Sequence, residues 1–322
     1  MAVPKTMRAL RIHQRGGPDG LRVEEMDVPA PALDDVLLEV RAASFTPTEL
    51  DWPSTWVDRA GSDRRPVVPG HEVSGVVAGL GYGAAGFAVG TEVFGLADWY
   101  RDGAAAEFVA VEARNLAPKP ASLSHAEAAA ATLAGLTAWQ ALFVHGRLQP
   151  GQTVMIHGAA GGVGTYAVQL AHAAGARVIG TGRAPARDLV LELGADEFAD
   201  LGKEERAGRA DPVDLVVDLV GGEPLQSSWQ LVRPGGTVVS VVDASVASAS
   251  AEPPAAGIRG VFFVVEPDRV QLTELARRFD VGELRPVVGR VFDLEAGREA
   301  FGAKRAGGLP GKAVLQVSAR AD

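Results

Sequence analysis

The chain has 322 residues, 47% of them apolar and 22% charged, with a net charge of −9 and no cysteine. That length favours two domains, each able to bury its own core. The acidic balance disfavours nucleic acid and anionic membranes as partners, and the missing cysteines exclude disulfides, thiolate zinc sites, iron–sulfur clusters and a cysteine nucleophile. The first residues carry no apolar run of signal-peptide length. An uncharged window, 148–176, is interrupted by Pro150 and by glycines at 151, 158, 161, 162 and 164, so it reads as a buried strand–loop–helix and not as a membrane span. A soluble, cytoplasmic protein is expected.

Up to about residue 122 short β-like runs alternate with Gly and Pro: residues 21–26, 36–40, 72–77 and 106–111, with the turn segment 80–90 between. So many strands with few helical windows predict a small β-barrel or sandwich. Ser124 and Glu127 then have capping-box spacing, ahead of an alanine-rich helix running to about Val144. Beyond it strands and helices alternate. Strands are predicted at 153–157, 177–181, 213–219 and 237–242, and helices at 162–174 and 186–193. This alternation implies right-handed βαβ units on a parallel sheet, an α/β fold. The Pro-rich segment 243–257 reads as a surface loop. A late apolar strand at 260–265 follows, and β texture returns at 287–292 and 313–317, flanking a helix at 294–304.

The strongest chemical signal is Val154-Met155-Ile156-His157-Gly158-Ala159-Ala160-Gly161-Gly162-Val163-Gly164. It leaves an apolar strand and opens a helix, the context a dinucleotide fingerprint requires, although Ala159 replaces the first glycine of the strict pattern. Free N–H groups and the positive end of the helix dipole suit a pyrophosphate, placing Ala159, Gly161, Gly162, Val163 and Gly164 at the cofactor. The next strand ends Ile179-Gly180-Thr181-Gly182-Arg183-Ala184-Pro185-Ala186-Arg187. No acid stands there to hold a ribose 2′-hydroxyl. Arg183 and Arg187 instead suit a 2′-phosphate, with Thr181 beside them, so NADPH is the expected cofactor.

With these pieces the sequence resembles the medium-chain dehydrogenase/reductase superfamily, most closely its zinc-independent quinone oxidoreductase branch, which also holds enoyl reductases. The resemblance rests on Val40-Arg41-Ala42-Ala43, Pro69-Gly70-His71-Glu72, residues 102–107, Gly135-Leu136-Thr137-Ala138, the glycine loop, Leu193-Gly194-Ala195-Asp196, residues 218–222 and Gly311-Lys312. It implies a Rossmann doubly wound parallel sheet at 123–284, inserted into a discontinuous GroES-like (chaperonin-10-like) β-barrel formed by 1–122 and 285–322. It implies an NADPH-dependent oxidoreductase passing hydride to a quinone or an α,β-unsaturated carbonyl, and a homodimer joined through Rossmann edge strands. It also implies that Thr137, Val241, Val242, Phe262 and Phe263 lie beside the nicotinamide, and that Lys312 lies near the cofactor or closes the barrel.

Relatives that carry zinc place a histidine where His71 stands, but they also need two cysteines, and Thr46 stands where the first would fall. No metal is expected. Hydride addition to an acceptor that delocalises its own charge needs positioning and one proton more than a Lewis acid. Tyr100, Thr46 and Asp51 are the candidates for that acid–base chemistry, each equally open to a structural role. Trp52, Trp56 and Trp99 are candidates for an aromatic wall, or for ordinary packing. Two other readings stay open: a non-catalytic NADPH-binding sensor or structural relative, and a zinc-type alcohol dehydrogenase.

Overall fold

The computed structural model describes residues 3–200, 211–249 and 257–317. The chain divides into two compact units, one holding the residues up to Leu133 together with those from Pro267 onward, the other running from Ala134 to Glu266. These units meet at 133/134 and 266/267, where the sequence reading placed junctions at 122/123 and 284/285. Contacts of the helix Arg269–Asp280 explain the second difference. Arg269 donates through Nε to the Leu116 carbonyl at 2.9 Å and covers the Phe87 ring at 4.7 Å, and Asp280 accepts from the Ser122 amide at 2.9 Å. Those bonds tie the helix to the barrel.

In the first unit β1 (Thr6–Arg11) and β2 (Arg22–Asp27) form an antiparallel pair. There follow β3 (Asp35–Ser44), β4 (Glu72–Leu80), β5 (Glu92–Leu96), β6 (Phe108–Glu112) and β7 (Leu116–Pro118). β3 is the centre. It pairs antiparallel with β4 and with β6, and its last residues pair with a strand from the far end of the chain. Its run Val36-Leu37-Leu38 is at most 4% exposed, and Val36 and Leu38 feed a core that also takes in Leu10, Phe45, Val73, Leu116 and Phe301. Burial of this kind is worth roughly 1.5–3 kcal/mol per large side chain.

The second unit is a six-stranded parallel sheet: β8 (Thr153–His157), β9 (Arg177–Gly182), β10 (Glu197–Asp200), β11 (Val213–Asp218), β12 (Val232–Ser240) and β13 (Arg259–Phe262). Its order, β10-β9-β8-β11-β12-β13, reverses direction between β8 and β11, so the ligand crevice of such a sheet opens at the carboxyl ends of these two strands. Val154, Met155 and Ile156 are buried as an unbroken apolar run, as expected for a strand covered on both faces. β12 starts earlier than expected, with a register shift against β11. Of the loop expected at 243–257, Ser245–Ala249 is a short helix, and 250–256 lie outside the described residues.

The chain returns to the barrel with β14 (Val288–Asp293) and β15 (Lys312–Gln316), β15 inserting between β14 and β3. The helical window His125–His145 is long and apolar enough to cross a membrane, yet 78% of it is buried inside the protein, the mark of a core helix.

Candidate active site

In the second unit, the turn after β8 depends on glycine at particular points. Gly158 has a φ of +73°, and a Cβ on Gly164 would stand 2.2 Å from the Gly158 carbonyl oxygen. Only hydrogen there lets the helix Gly162–Ala173 start so close to the strand. Gly161, Gly162 and Val163 stay half-buried at that helix start, where the first-turn N–H groups have no helical partner. The arrangement fits a dinucleotide pyrophosphate. Two expectations are corrected here. Ala159 is fully buried and gives its amide to the Thr181 carbonyl at 2.9 Å, so it closes the loop rather than facing a phosphate. Gly164 is buried as well and serves the close packing.

Thr181 is a third correction. It is buried, and its hydroxyl lies 2.9 Å from His157 Nδ1, while His157 Nε2 lies 2.7 Å from Ser228 Oγ. Ser228 donates its own proton to the Pro224 carbonyl at 2.6 Å, so it accepts from Nε2–H, and Nδ1 accepts from the Thr181 hydroxyl. The imidazole therefore braces the end of β9 against the helix Gly222–Ser228, and the buried Thr181 spends its hydroxyl proton on His157. Arg183 and Arg187 are exposed just beyond β9 and engage no side chain among the described residues.

At the ends of β11 and β12 the fully buried Asp218 accepts from the Gly221 amide at 2.9 Å and from Ser240 Oγ at 2.8 Å. Ser240 Oγ in turn accepts from the amides of Val242 and Asp243 at 3.2 and 3.1 Å. This network holds both loops at the carboxyl edge with Val220 and Val242 about half exposed there, Val241 half-buried beside them. Phe262 is half-buried against the core, and the Phe263 ring meets His145 at 4.3 Å with a 31° tilt. Thr137 is buried in the helix His125–Trp139. A nicotinamide held here supplies or accepts a hydride.

The first unit buries charge. Glu72, 1% exposed, pairs with Lys312 Nζ, which also donates to the Phe45 carbonyl at 2.8 Å. Burial pushes the Glu72 carboxyl up, and Lys312 pulls against it. Of the two roles left open for Lys312, near the cofactor or closing the barrel, these contacts are those of a residue that closes the barrel. Glu49, which sequence reasoning missed, accepts from the Gly70 amide at 2.5 Å and the Thr46 amide at 3.0 Å. Burial pushes its carboxyl up to about 7, reinforced by Glu72 and opposed by the two amides. Thr46 thus enters through its backbone, as an anchor for Glu49.

The aromatic candidates separate. Trp52 and Trp99 are half-buried and meet edge to face at 5.6 Å, and Trp99 meets His71 at 5.1 Å. Trp56 belongs elsewhere: it is 2% exposed in the barrel core and donates its indole N–H to the Leu50 carbonyl at 2.8 Å. Asp51 is exposed and paired with Arg305 at 3.1 Å on a surface hollow, so it is corrected from an acid–base candidate to a surface ion pair. Tyr100 has its ring under the Arg59 guanidinium at 4.9 Å and its amide on Asp98 at 2.9 Å. Arg64, also missed, donates to the carbonyls of Ser54 and Thr55 at 2.8 and 3.3 Å and reaches Asp102 at 3.4 Å, fixing the segment that carries Trp52. Among the described residues no three His, Asp or Glu side chains converge as a metal-binding group.

Comparison with known proteins accounts for both units. Residues 32–121 match the family described as alcohol dehydrogenase GroES-like domain, and 193–315 match that described as zinc-binding dehydrogenase. The quinone oxidoreductase of Rattus norvegicus is 32% identical over 74% of this chain and 73% of its own. The 2-methylene-furan-3-one reductase of Solanum lycopersicum is 33% identical over 98% of this chain and 80% of its own. The solved quinone oxidoreductase of Coxiella burnetii superposes with a TM-score of 0.90 at 28% identity, covering 98% of this chain and 100% of the other. The chain belongs to the medium-chain dehydrogenase/reductase superfamily, in its quinone-oxidoreductase-like branch, and is an NAD(P)H-dependent oxidoreductase.

Proposed function

We propose that the chain uses NADPH to reduce a quinone or an α,β-unsaturated carbonyl by hydride transfer, without a metal. The observation that carries the cofactor choice is the end of β9. Arg183 and Arg187 stand exposed there, and no acid precedes Asp188. Two guanidinium groups recognise a 2′-phosphate dianion and would gain nothing from a bare ribose hydroxyl. The acceptor class is supported by the half-buried indoles of Trp52 and Trp99, which suit a flat conjugated molecule. The named activities of the rat and tomato relatives support it too. The metal-free reading is supported by the donor inventory, with no cysteine in the chain.

The test is NADPH oxidation against a panel of quinones, enones and enoyl thioesters, run in parallel with NADH and with excess chelator. NADPH is expected to be preferred, and replacing Arg183 and Arg187 with Ala should weaken it about tenfold or more with little effect on NADH. Equal wild-type affinity for both cofactors refutes the arginine argument. Tight NADPH binding with no turnover across the panel favours a non-catalytic role. Activity lost to chelator and restored by zinc refutes the metal-free chemistry.

A further inference from the structure

The second unit buries a charge that no ion answers. Asp218, the last residue of β11, is fully buried with both carboxyl oxygens engaged. Oδ1 accepts from the amides of Val220 and Gly221 at 3.2 and 2.9 Å, and Oδ2 accepts from Gly221 at 3.2 Å and from Ser240 Oγ at 2.8 Å. The direction of the last bond is fixed, because Ser240 Oγ already accepts from the amides of Val242 and Asp243 and has one proton to give. Every partner thus donates, and a group that only accepts is the carboxylate. None of these partners is a cation. His157, which ends the adjoining strand opposite Asp218, is neutral as well, since its Nδ1 accepts from Thr181 while its Nε2–H goes to Ser228. Buried carboxylates are ordinarily paired, as Glu72 is with Lys312 in the first unit. Here dipoles alone hold the charge, and its field reaches the space around it.

That space is the crevice. The sheet reverses direction between β8 and β11, and a dinucleotide lies across the strand ends at such a point. The glycine loop after β8 suits the pyrophosphate, and Arg183 and Arg187 after β9 suit a 2′-phosphate, which directs the adenosine half to the β9 side. The nicotinamide half is then directed the other way, to the ends of β11 and β12. There the loop after Asp218 closes onto the glycine loop, since a Cβ on Gly158 would stand 3.0 Å from Val220 Cγ2. Val220 and Val242, on the two loops that Asp218 and Ser240 tie together, are 49% and 52% exposed and offer a flat ring an apolar seat. A neutral side chain could tie the same loops. The carboxylate matters when the ring changes charge: a dihydronicotinamide is neutral, and it becomes a pyridinium cation when a C4–H bond breaks and its electron pair leaves with the hydrogen.

We propose that Asp218 sets the reducing strength of the bound nicotinamide, its buried charge favouring the oxidised, cationic ring over the neutral reduced one and so favouring departure of the hydride. The proposal rests on the reductase reading and adds to it an electrostatic control of the hydride donor. Fully buried, Asp218 touches neither cofactor nor acceptor; it is a positioning residue for two loops and a fixed charge behind them. The phosphates are common to both redox forms of the cofactor, so their repulsion by Asp218 cancels when the two forms are compared. The ratio of Kd for NADP+ to Kd for NADPH therefore isolates the ring, and through the thermodynamic cycle it gives the potential of the bound couple.

The experiment titrates the wild type, Asp218→Asn and Ser240→Ala with NADPH, followed by its fluorescence, and with NADP+, followed by displacement of NADPH. A unit charge about 10 Å away, in a medium of effective dielectric about 20, shifts an equilibrium by about tenfold. Asp218→Asn should therefore weaken NADP+ relative to NADPH by about tenfold, a rise of about 30 mV in the potential of the bound two-electron couple. Ser240→Ala loosens the same loops and keeps the charge, so both forms should weaken together, with their ratio within about threefold of wild type. A ratio in Asp218→Asn within about threefold of wild type overturns the proposal, and so does a ratio that Ser240→Ala moves as far. The titrations are repeated with NADH and NAD+. A chain that prefers this pair refutes the arginine argument, and the same ratio still decides on Asp218. A wild type that binds but reduces no quinone or enone loses the reductase reading alone. A wild type that binds neither pair overturns the cofactor reading and the proposal together. Should Asp218→Asn not fold, Asp218→Ser, equally neutral, is read by the same criteria.

Discussion

The ion pair that closes the barrel can be tested by removing one side of it. In Lys312→Met the stem is kept and the ammonium is lost. Glu72, 1% exposed, then keeps the Thr132 hydroxyl at 3.5 Å and the Leu133 amide but no cation, and the Phe45 carbonyl loses its donor. Stripping one partner from a buried pair costs about 3–5 kcal/mol, because the survivor must stay charged without compensation or change its protonation state. At about 2–4 °C per kcal/mol for a chain of this size, the melting temperature should drop by roughly 6–20 °C. Glu72→Leu should cost a similar amount. The double variant Glu72→Leu/Lys312→Met replaces the pair by apolar groups and should recover most of the loss, giving a coupling of about 5 kcal/mol or more in a double-mutant cycle. The deficit of Lys312→Met should also shrink as the pH falls through the carboxylate range, since a protonated Glu72 needs no cation. Urea unfolding and thermal melts at pH 5 and pH 7.5 measure all of this. A Lys312→Met cost below about 1 kcal/mol, or a double variant as unstable as the sum of the singles, refutes the reasoning.

Three further outcomes are expected. Glu49 has a folded pKa of about 7 against an ordinary 4.5, so the folded protein keeps a proton that the unfolded chain releases, and its contribution to stability is lost as pH rises between those values. The span is worth about 3 kcal/mol, and Glu49→Gln should flatten that dependence while costing about 1–3 kcal/mol for an amide left without an acceptor; an unchanged pH profile contradicts the assignment. Tyr100→Phe should lose about tenfold or less in kcat/KM because the ring is already engaged by Arg59, whereas a loss of 10²–10⁴-fold, on the order of a general acid, would make Tyr100 the proton donor. β13 is the outermost strand of its sheet, with Val264 63% exposed beyond it, so the chain should dimerise through that edge; light scattering giving a mass near 33.4 kDa at micromolar concentration counts against it.

The second unit was legible in the sequence because its signals are local. The run Thr153–His157 was bounded to the residue, since an apolar strand stops where Gly158 takes a positive φ. The helix after the glycine loop and the start of β9 followed from the same punctuation. What that loop does residue by residue was less legible. Ala159 and Thr181 carry motif positions, but only the packing against Gly180 and the bond to His157 show that both are spent internally. The barrel's polar heart was illegible for a different reason. Lys312 and Glu72 lie 240 positions apart, and Glu49 lies 21 positions ahead of the Gly70 amide it binds. No periodicity reports a carboxylate buried by partners so far away. The one available hint was Gly70-His71-Glu72 running directly into an apolar strand, where two ionisable side chains side by side call for distant partners. Trp56 and Trp52 were equally plausible wall residues in sequence; a single indole-to-carbonyl bond decides which one is core.

The place of β15 has a bearing on how this protein is made. β15 is not an edge strand; it slots between β14 and β3, pairing Val314, Leu315 and Gln316 with Ser44, Ala43 and Ala42. On a ribosome working from the N-terminus, the last residues of β3, from Ala42 to Ser44, therefore wait for their second partner until almost the whole chain has emerged, while the parallel sheet of the second unit is complete some fifty residues sooner. The order of synthesis thus favours the nucleotide-binding half as the first folded body, and leaves the barrel as the half exposed to chaperones and proteases in the interval. A stop codon ahead of Lys312 would spare the first and strand the second, so premature truncation should yield a protease-resistant fragment from the middle of the sequence rather than from its beginning.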